Sequence, residues 1–124
     1  MAKRVLVVDD DQYIRELYEE VLKDAGFTVE TASDGEETLA KLQQGGFDLT
    51  LLDIMMPKMD GLGVMDAIKK SPPATPNGPI IVLTNLDHDP LIRDALSKGA
   101  VAFIIKADVT PDQLLEQIRK YVGQ

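Results

Sequence analysis

Five polar side chains stand where apolar runs of this chain end: Asp9 and Asp10 after VLVV, Asp53 after LTLL, Thr84 after IVL, and Lys106 after FII. Brought together, three carboxylates repel one another. A like-charge pair about 4 Å apart costs ~4 kcal/mol at an effective dielectric of 20, so such a cluster demands a cation. Oxygen donors without His or Cys favour Mg²⁺ over transition metals. Mg²⁺ and Lys106 would balance the three negative charges, leaving a site able to clamp a phosphoryl group while charge moves between attacking and leaving oxygens. A carboxylate can itself attack, giving an acyl phosphate. Thr84 would then donate a hydroxyl hydrogen bond to a phosphoryl oxygen.

The five positions converge only if the apolar runs are parallel strands of one sheet. Helix-period segments separate the runs, and right-handed crossovers through them put every strand's carboxyl end on one edge, where open α/β sheets bind ligands. Strands are predicted at Arg4–Asp9, Phe27–Thr31, Asp48–Asp53, Ile80–Thr84 and Val101–Ile105. VLVV is continuous and β-branched, as in a strand covered on both faces. The first helix starts at Asp11 as N-cap, carries Ile14, Leu17, Tyr18, Val21 and Leu22 at helical spacing, and stops at Gly26. Asp34 with Glu37 reads as a capping-box variant opening a helix through Leu39 and Leu42 that ends at Gly45-Gly46. MMPKMDG is a turn into a helix carrying Leu62, Met65 and Ile68. The proline-rich stretch SPPATPNGP is a surface loop facing away from the proposed site. Asp89-Pro90 starts the fourth helix and Thr110-Pro111-Asp112-Gln113 the fifth, which buries Leu114, Leu115, Ile118 and Val122. The expected fold is α/β: one doubly wound (βα)₅ domain over residues 1–124.

Composition bounds the function. With 124 residues and 44% hydrophobic content there is one core's worth of chain. The absence of Cys removes disulfide, thiolate and zinc-thiolate chemistry and favours a reducing, cytoplasmic setting. No apolar run approaches the length of a membrane span or follows a basic leader. A net charge of -8 disfavours direct contact with nucleic acid or anionic lipid. His88, the one histidine, lies between Asp87 and Asp89 without a partner motif and reads as a loop residue. Met55, Met56, Met59 and Met65 read mainly as turn and core packing.

VLVVDDD, LLDIMMPKMDG, IVLTN and KGAVAFIIKAD, in that order and spacing, resemble the signature segments of the response-regulator receiver domain of two-component signalling, CheY-like, over the whole chain. The resemblance implies a sheet in flavodoxin-like order 2-1-3-4-5 with helices on both faces. It makes Asp53 the phosphoacceptor. Mg²⁺ would be held by Asp10 directly, by Asp9 mainly through water, by Asp53, and by the backbone carbonyl of Met55. Thr84 becomes the switching hydroxyl, Phe103 its coupled aromatic, and Lys106 the site cation, while Pro57 and Gly61 match the turn of the third segment. A sensor histidine kinase or phosphotransfer protein would supply the phosphoryl group. The face of helix four, strand five and helix five would bind a downstream protein whose identity the sequence does not give. Such a protein is a phosphoacceptor signalling domain rather than an enzyme with an external substrate.

Two positions depart from the family pattern. Ala107 follows Lys106 where proline, often cis, is usual; a non-proline cis bond costs roughly 2.5–4 kcal/mol, so a trans bond is expected. Asn85, after the switch hydroxyl, replaces a small residue and could narrow phosphoryl access or position a water. Met55 and Leu86 would flank the hydrolytic water without orienting it, which implies a long-lived acyl phosphate. Two rivals remain open. One is a haloacid-dehalogenase-type phosphatase with Asp9 as nucleophile and Asp11 as acid, and the other is an interaction module independent of phosphorylation.

Overall fold

The apolar runs at 5–8, 49–53 and 81–84 become strands with both faces shut off from water, while the two edge strands are only partly buried. The computed structural model describes residues 2–85 and 89–122, with Asp89 described in its backbone alone. Strands β1 (Arg4–Val8), β2 (Thr28–Ala32), β3 (Leu49–Asp53), β4 (Ile80–Thr84) and β5 (Ala102–Ile105) alternate with helices α1 (Gln12–Asp24), α2 (Gly35–Gln44), α3 (Gly61–Lys70), α4 (Asp89–Ser97) and α5 (Pro111–Val122). All strand pairs are parallel, in the order β2-β1-β3-β4-β5. The expected doubly wound α/β architecture is therefore the observed one.

Alternate residues of the central strands feed two cores. Val5, Val7, Leu49, Leu51, Ile81 and Leu83 pack against Tyr18 and Leu22 of α1 and Leu114, Ile118 and Val122 of α5. On the other face Leu6, Val8, Leu52 and Val82 meet Leu42 of α2, Val64 and Met65 of α3, and Ile92 and Ala95 of α4. Helices on both faces explain why the strands read as unbroken apolar runs instead of alternating ones.

The boundaries move by one residue at several ends. Phe27 belongs to the end of α1, not to β2: its N–H bonds the Leu22 carbonyl at 3.0 Å and the Gly26 N–H bonds Lys23 at 3.0 Å, the paired closure of a Schellman motif. Gly26 supplies the required φ of 95°. β1 stops at Val8, β3 starts at Leu49, β5 starts at Ala102, and β2 extends to Ala32. In α2 the buried residues are Gly35, Thr38 and Leu42, with Leu39 only half-buried. Thr38 can enter the core because its hydroxyl donates to the Asp34 carbonyl at 2.7 Å.

The predicted caps form. Asp11 accepts from the N–H groups of Tyr13 and Ile14. Glu37 N–H donates to Asp34 at 2.8 Å, while the Glu37 carboxylate reaches back to Ser33 N–H at 2.7 Å. Thr110 and Gln113 exchange the two bonds of a capping box. The cap proposed for the Asp89 side chain lies outside the described residues, as do Asp87 and His88. No helix among the described residues is long and apolar enough to cross a membrane.

Candidate functional site

A carboxylate left at the end of a fully buried strand has no water to solvate it, so its partners must come from neighbouring strand ends. Asp53 closes β3 between β1 and β4, and Asp9 follows β1. Asp9 has no exposed surface, and all its polar groups are used. Its N–H donates to Ala32, its carbonyl accepts from Arg15 Nη1 at 2.8 Å, Oδ1 accepts from Asp11 N–H at 2.9 Å, and Oδ2 accepts from Lys106 Nζ at 2.8 Å. Asp53 divides its oxygens similarly, Oδ1 accepting from Met55 N–H at 3.1 Å and Oδ2 from Lys106 Nζ at 3.3 Å. The Lys106 ammonium, 5% exposed, therefore bridges the two buried carboxylates from β5's end.

Two buried anions share one cation, and the charge left over shows in the proton affinity of Asp53. Burial, then repulsion from Asp9, pushes the Asp53 carboxyl up to about 7, against the pull of Lys106. Burial works to lower the Lys106 value, but the hydrogen bond to Asp9 and the two carboxylate charges outweigh it and raise it. Asp10 is exposed at the rim. One oxygen from each of Asp9, Asp10 and Asp53 lies within 4.8 Å of the others. Three hard oxygen donors at that separation, one facing solvent, fit a divalent cation such as Mg²⁺.

The sequence-predicted residues thus meet at one edge. Thr84 is buried at the end of β4, beside β5 in register with Ile105, and its carbonyl accepts the Lys106 N–H at 2.8 Å. Phe103 lies one strand out and is 42% exposed. The Lys106-Ala107 bond is trans, as expected. Met55 is 60% exposed, whereas Met65 is buried and Met56 and Met59 are partly buried against the core. Asn85 is exposed; Leu86 lies outside the described residues. Arg15 was not anticipated, because its acceptor is a backbone carbonyl. The available signal was a cation in the first turns of a helix, where the dipole disfavours one.

Gly61 lets α3 begin directly over the strand end. Its N–H bonds the Ile54 carbonyl at 2.9 Å, and a Cβ there would fall 2.6 Å from the Asp53 carbonyl oxygen. Gly61→Ala is expected to cost about 1–3 kcal/mol by overpacking, read as a lower urea midpoint. An unchanged midpoint would show that the turn yields freely.

The family model described as response regulator receiver domain matches residues 5–119. A chemotaxis protein CheY of Thermotoga maritima is 34% identical over 121 residues, covering 97% of this chain and 98% of that protein. A gliding motility regulatory protein of Myxococcus xanthus is 37% identical over 93% of this chain, which spans only 15% of that relative; against a probable transcriptional regulator ycf27 of Guillardia theta, 41% identical over 94% of the chain, it spans 44%. Among solved structures, a CheY-like receiver domain protein from Methanospirillum hungatei superposes with a TM-score of 0.88 at 33% identity, covering 99% of this chain and 95% of that one. A CheX-CheY-BeF3-Mg²⁺ complex from Borrelia burgdorferi gives 0.83 at 30% identity, covering 95% and 87%.

Proposed function

From the premise that the chain belongs to the response-regulator receiver domain family, we propose that Asp53 accepts a phosphoryl group in a Mg²⁺-dependent reaction from a sensor histidine kinase or phosphotransfer protein. The observation that carries the reading is the pair of buried carboxylates bridged by Lys106, with Asp10 open to solvent beside them. An Asp53 oxygen attacks phosphorus in line as the bond to the donor's leaving group breaks, the leaving group taking the electron pair. Lys106 stays beside the oxygens on which charge accumulates. Mg²⁺ would be held by Asp10, Asp9, Asp53 and the Met55 carbonyl, and when bound it supplies the positive charge that the cluster lacks. Thr84 would donate to a phosphoryl oxygen.

The output reading rests on the far edge of the sheet. Phe103 is exposed on β5, where it lines a cavity of about 350 Å³ with Asp108, Val109, Gln113 and Glu116. A downstream protein would read the state of Thr84 and Phe103 there, on the face of α4, β5 and α5. The domain proposed spans residues 1–124, works in the cytoplasm, and makes no direct contact with nucleic acid or membrane.

With Mg²⁺ and acetyl phosphate, one phosphoryl group per chain is expected, and mass spectrometry should place it on Asp53. A label on Asp9 would instead favour the phosphatase reading, and no label would favour the phosphorylation-independent module. Asp10→Asn should weaken Mg²⁺ binding by about 10-fold or more and slow labelling, since it removes a hard anionic ligand. Calorimetric titration of both proteins checks this, and equal affinity would reduce Asp10 to a turn residue.

A further inference from the structure

Arg15 is electrostatically out of place for a helix residue. It is the fourth residue of α1, at the end where the macrodipole is positive and disfavours a cation. Most helix cations obey the dipole, Lys23, Lys41, Lys69, Lys70, Arg119 and Lys120 all lying in last turns, with Arg93 of α4 the other exception. Nor does Arg15 take an ion-pair partner among the described residues, despite the acidic cluster beside it. It spends its guanidinium on the Asp9 carbonyl, six residues back, at 2.8 Å. A local rule broken at a polar site points to a role at that site.

We propose that Arg15 is a positioning residue for the cation site, holding the Asp9–Asp11 turn so that the Asp10 carboxylate is presented beside those of Asp9 and Asp53. This rests on the reading of those carboxylates as the Mg²⁺ site. Asp11 is tied to α1 by its carbonyl, which accepts from Arg15 N–H, and by its carboxylate, which accepts from Tyr13 and Ile14 N–H, while Asp9 is tied to the fold by its N–H to β2, its Oδ2 to Lys106, and its carbonyl to the Arg15 side chain. Only the last links the backbone of the acidic pair to α1 through a side chain. Asp10 is exposed, and no hydrogen bond of its side chain is found among the described residues, so the position from which its carboxylate reaches the site follows the backbone that Arg15 holds. Outer groups that orient a ligand in this way typically govern metal affinity by 10–100-fold.

The hypothesis gives a sign opposite to that of simple charge. Deleting a cation near an Mg²⁺ site raises affinity if the cation only repels the metal; deleting a positioning residue lowers it. We would titrate MgCl₂ calorimetrically into wild type, Arg15→Met, Arg15→Gln and Lys23→Met, after circular dichroism shows all four folded at the assay temperature. Expected are a loss on the order of tenfold in Arg15→Met, partial recovery in Arg15→Gln, which keeps an N–H donor without charge, and no change in Lys23→Met, which removes a charge from the far end of the same helix. Equal or tighter binding by Arg15→Met would overturn the proposal. Failure of the wild type to bind Mg²⁺ would instead overturn the reading on which it rests.

Discussion

Asparagine at position 53 is expected to leave the protein unlabelled by acetyl phosphate and yet more stable than wild type at pH 8 when metal is chelated. The nucleophile is lost because an amide cannot form the acyl phosphate. The stability gain follows from proton linkage. Asp53 in the folded chain holds its proton up to about 7, against an ordinary value of 3.8, through burial and then the Asp9 charge. The folded state therefore binds more protons than the unfolded one across that interval, and stability falls as pH rises through it. The shift corresponds to at most ~4 kcal/mol, and Asp53→Asn should recover about half or more of it at pH 8, with the difference vanishing near pH 4. Urea melts in a chelator at the two pH values decide the matter. A wild type as stable as the variant at pH 8 would mean that Lys106 alone satisfies both carboxylates.

Lys106→Met should produce the largest loss. Removing one partner of a buried ion pair leaves uncompensated charge and costs about 3–5 kcal/mol, here with two anions stranded, both nearly inaccessible to water. The cost should shrink toward pH 5 as Asp53 takes up its proton, and added Mg²⁺ should restore part of it. In the double variant with Asp53→Asn the penalty should fall below that of Lys106→Met alone, since one of the stranded charges is gone. Additive costs would show that the two groups do not interact, contrary to their 3.3 Å contact.

Much of this site was legible because its chemistry sits at the ends of apolar runs, where composition changes abruptly. Asp53, Thr84 and Lys106 each end or directly follow a run, and parallel topology alone brings them to one edge. Arg15 was not legible: residue type announces side-chain pairing, but a bond to a carbonyl depends on backbone direction at Asp9. Phe27 reads in the sequence as the start of the second strand, whereas its N–H is taken by the Leu22 carbonyl in the closure of α1. Of the two leucines that mark the second helix in the sequence only Leu42 is buried, and Thr38 joins it in the core because its hydroxyl finds a partner inside its own helix, a compensation that hydropathy does not count.

The order of strands also has a temporal meaning. Once β2 lies beside β1, each later strand adds to the same free edge in the order in which it is synthesised, and none must be inserted between strands already paired. Asp9 and Asp53 therefore face each other as soon as β3 docks, but Lys106 lies 53 residues beyond Asp53. At about 5–20 residues per second, that separation is ~3–10 s of synthesis. A sheet that closed on β3 before then would hold its two inward carboxylates without their ammonium, and a proton or a borrowed cation would have to stand in until the last strand arrived.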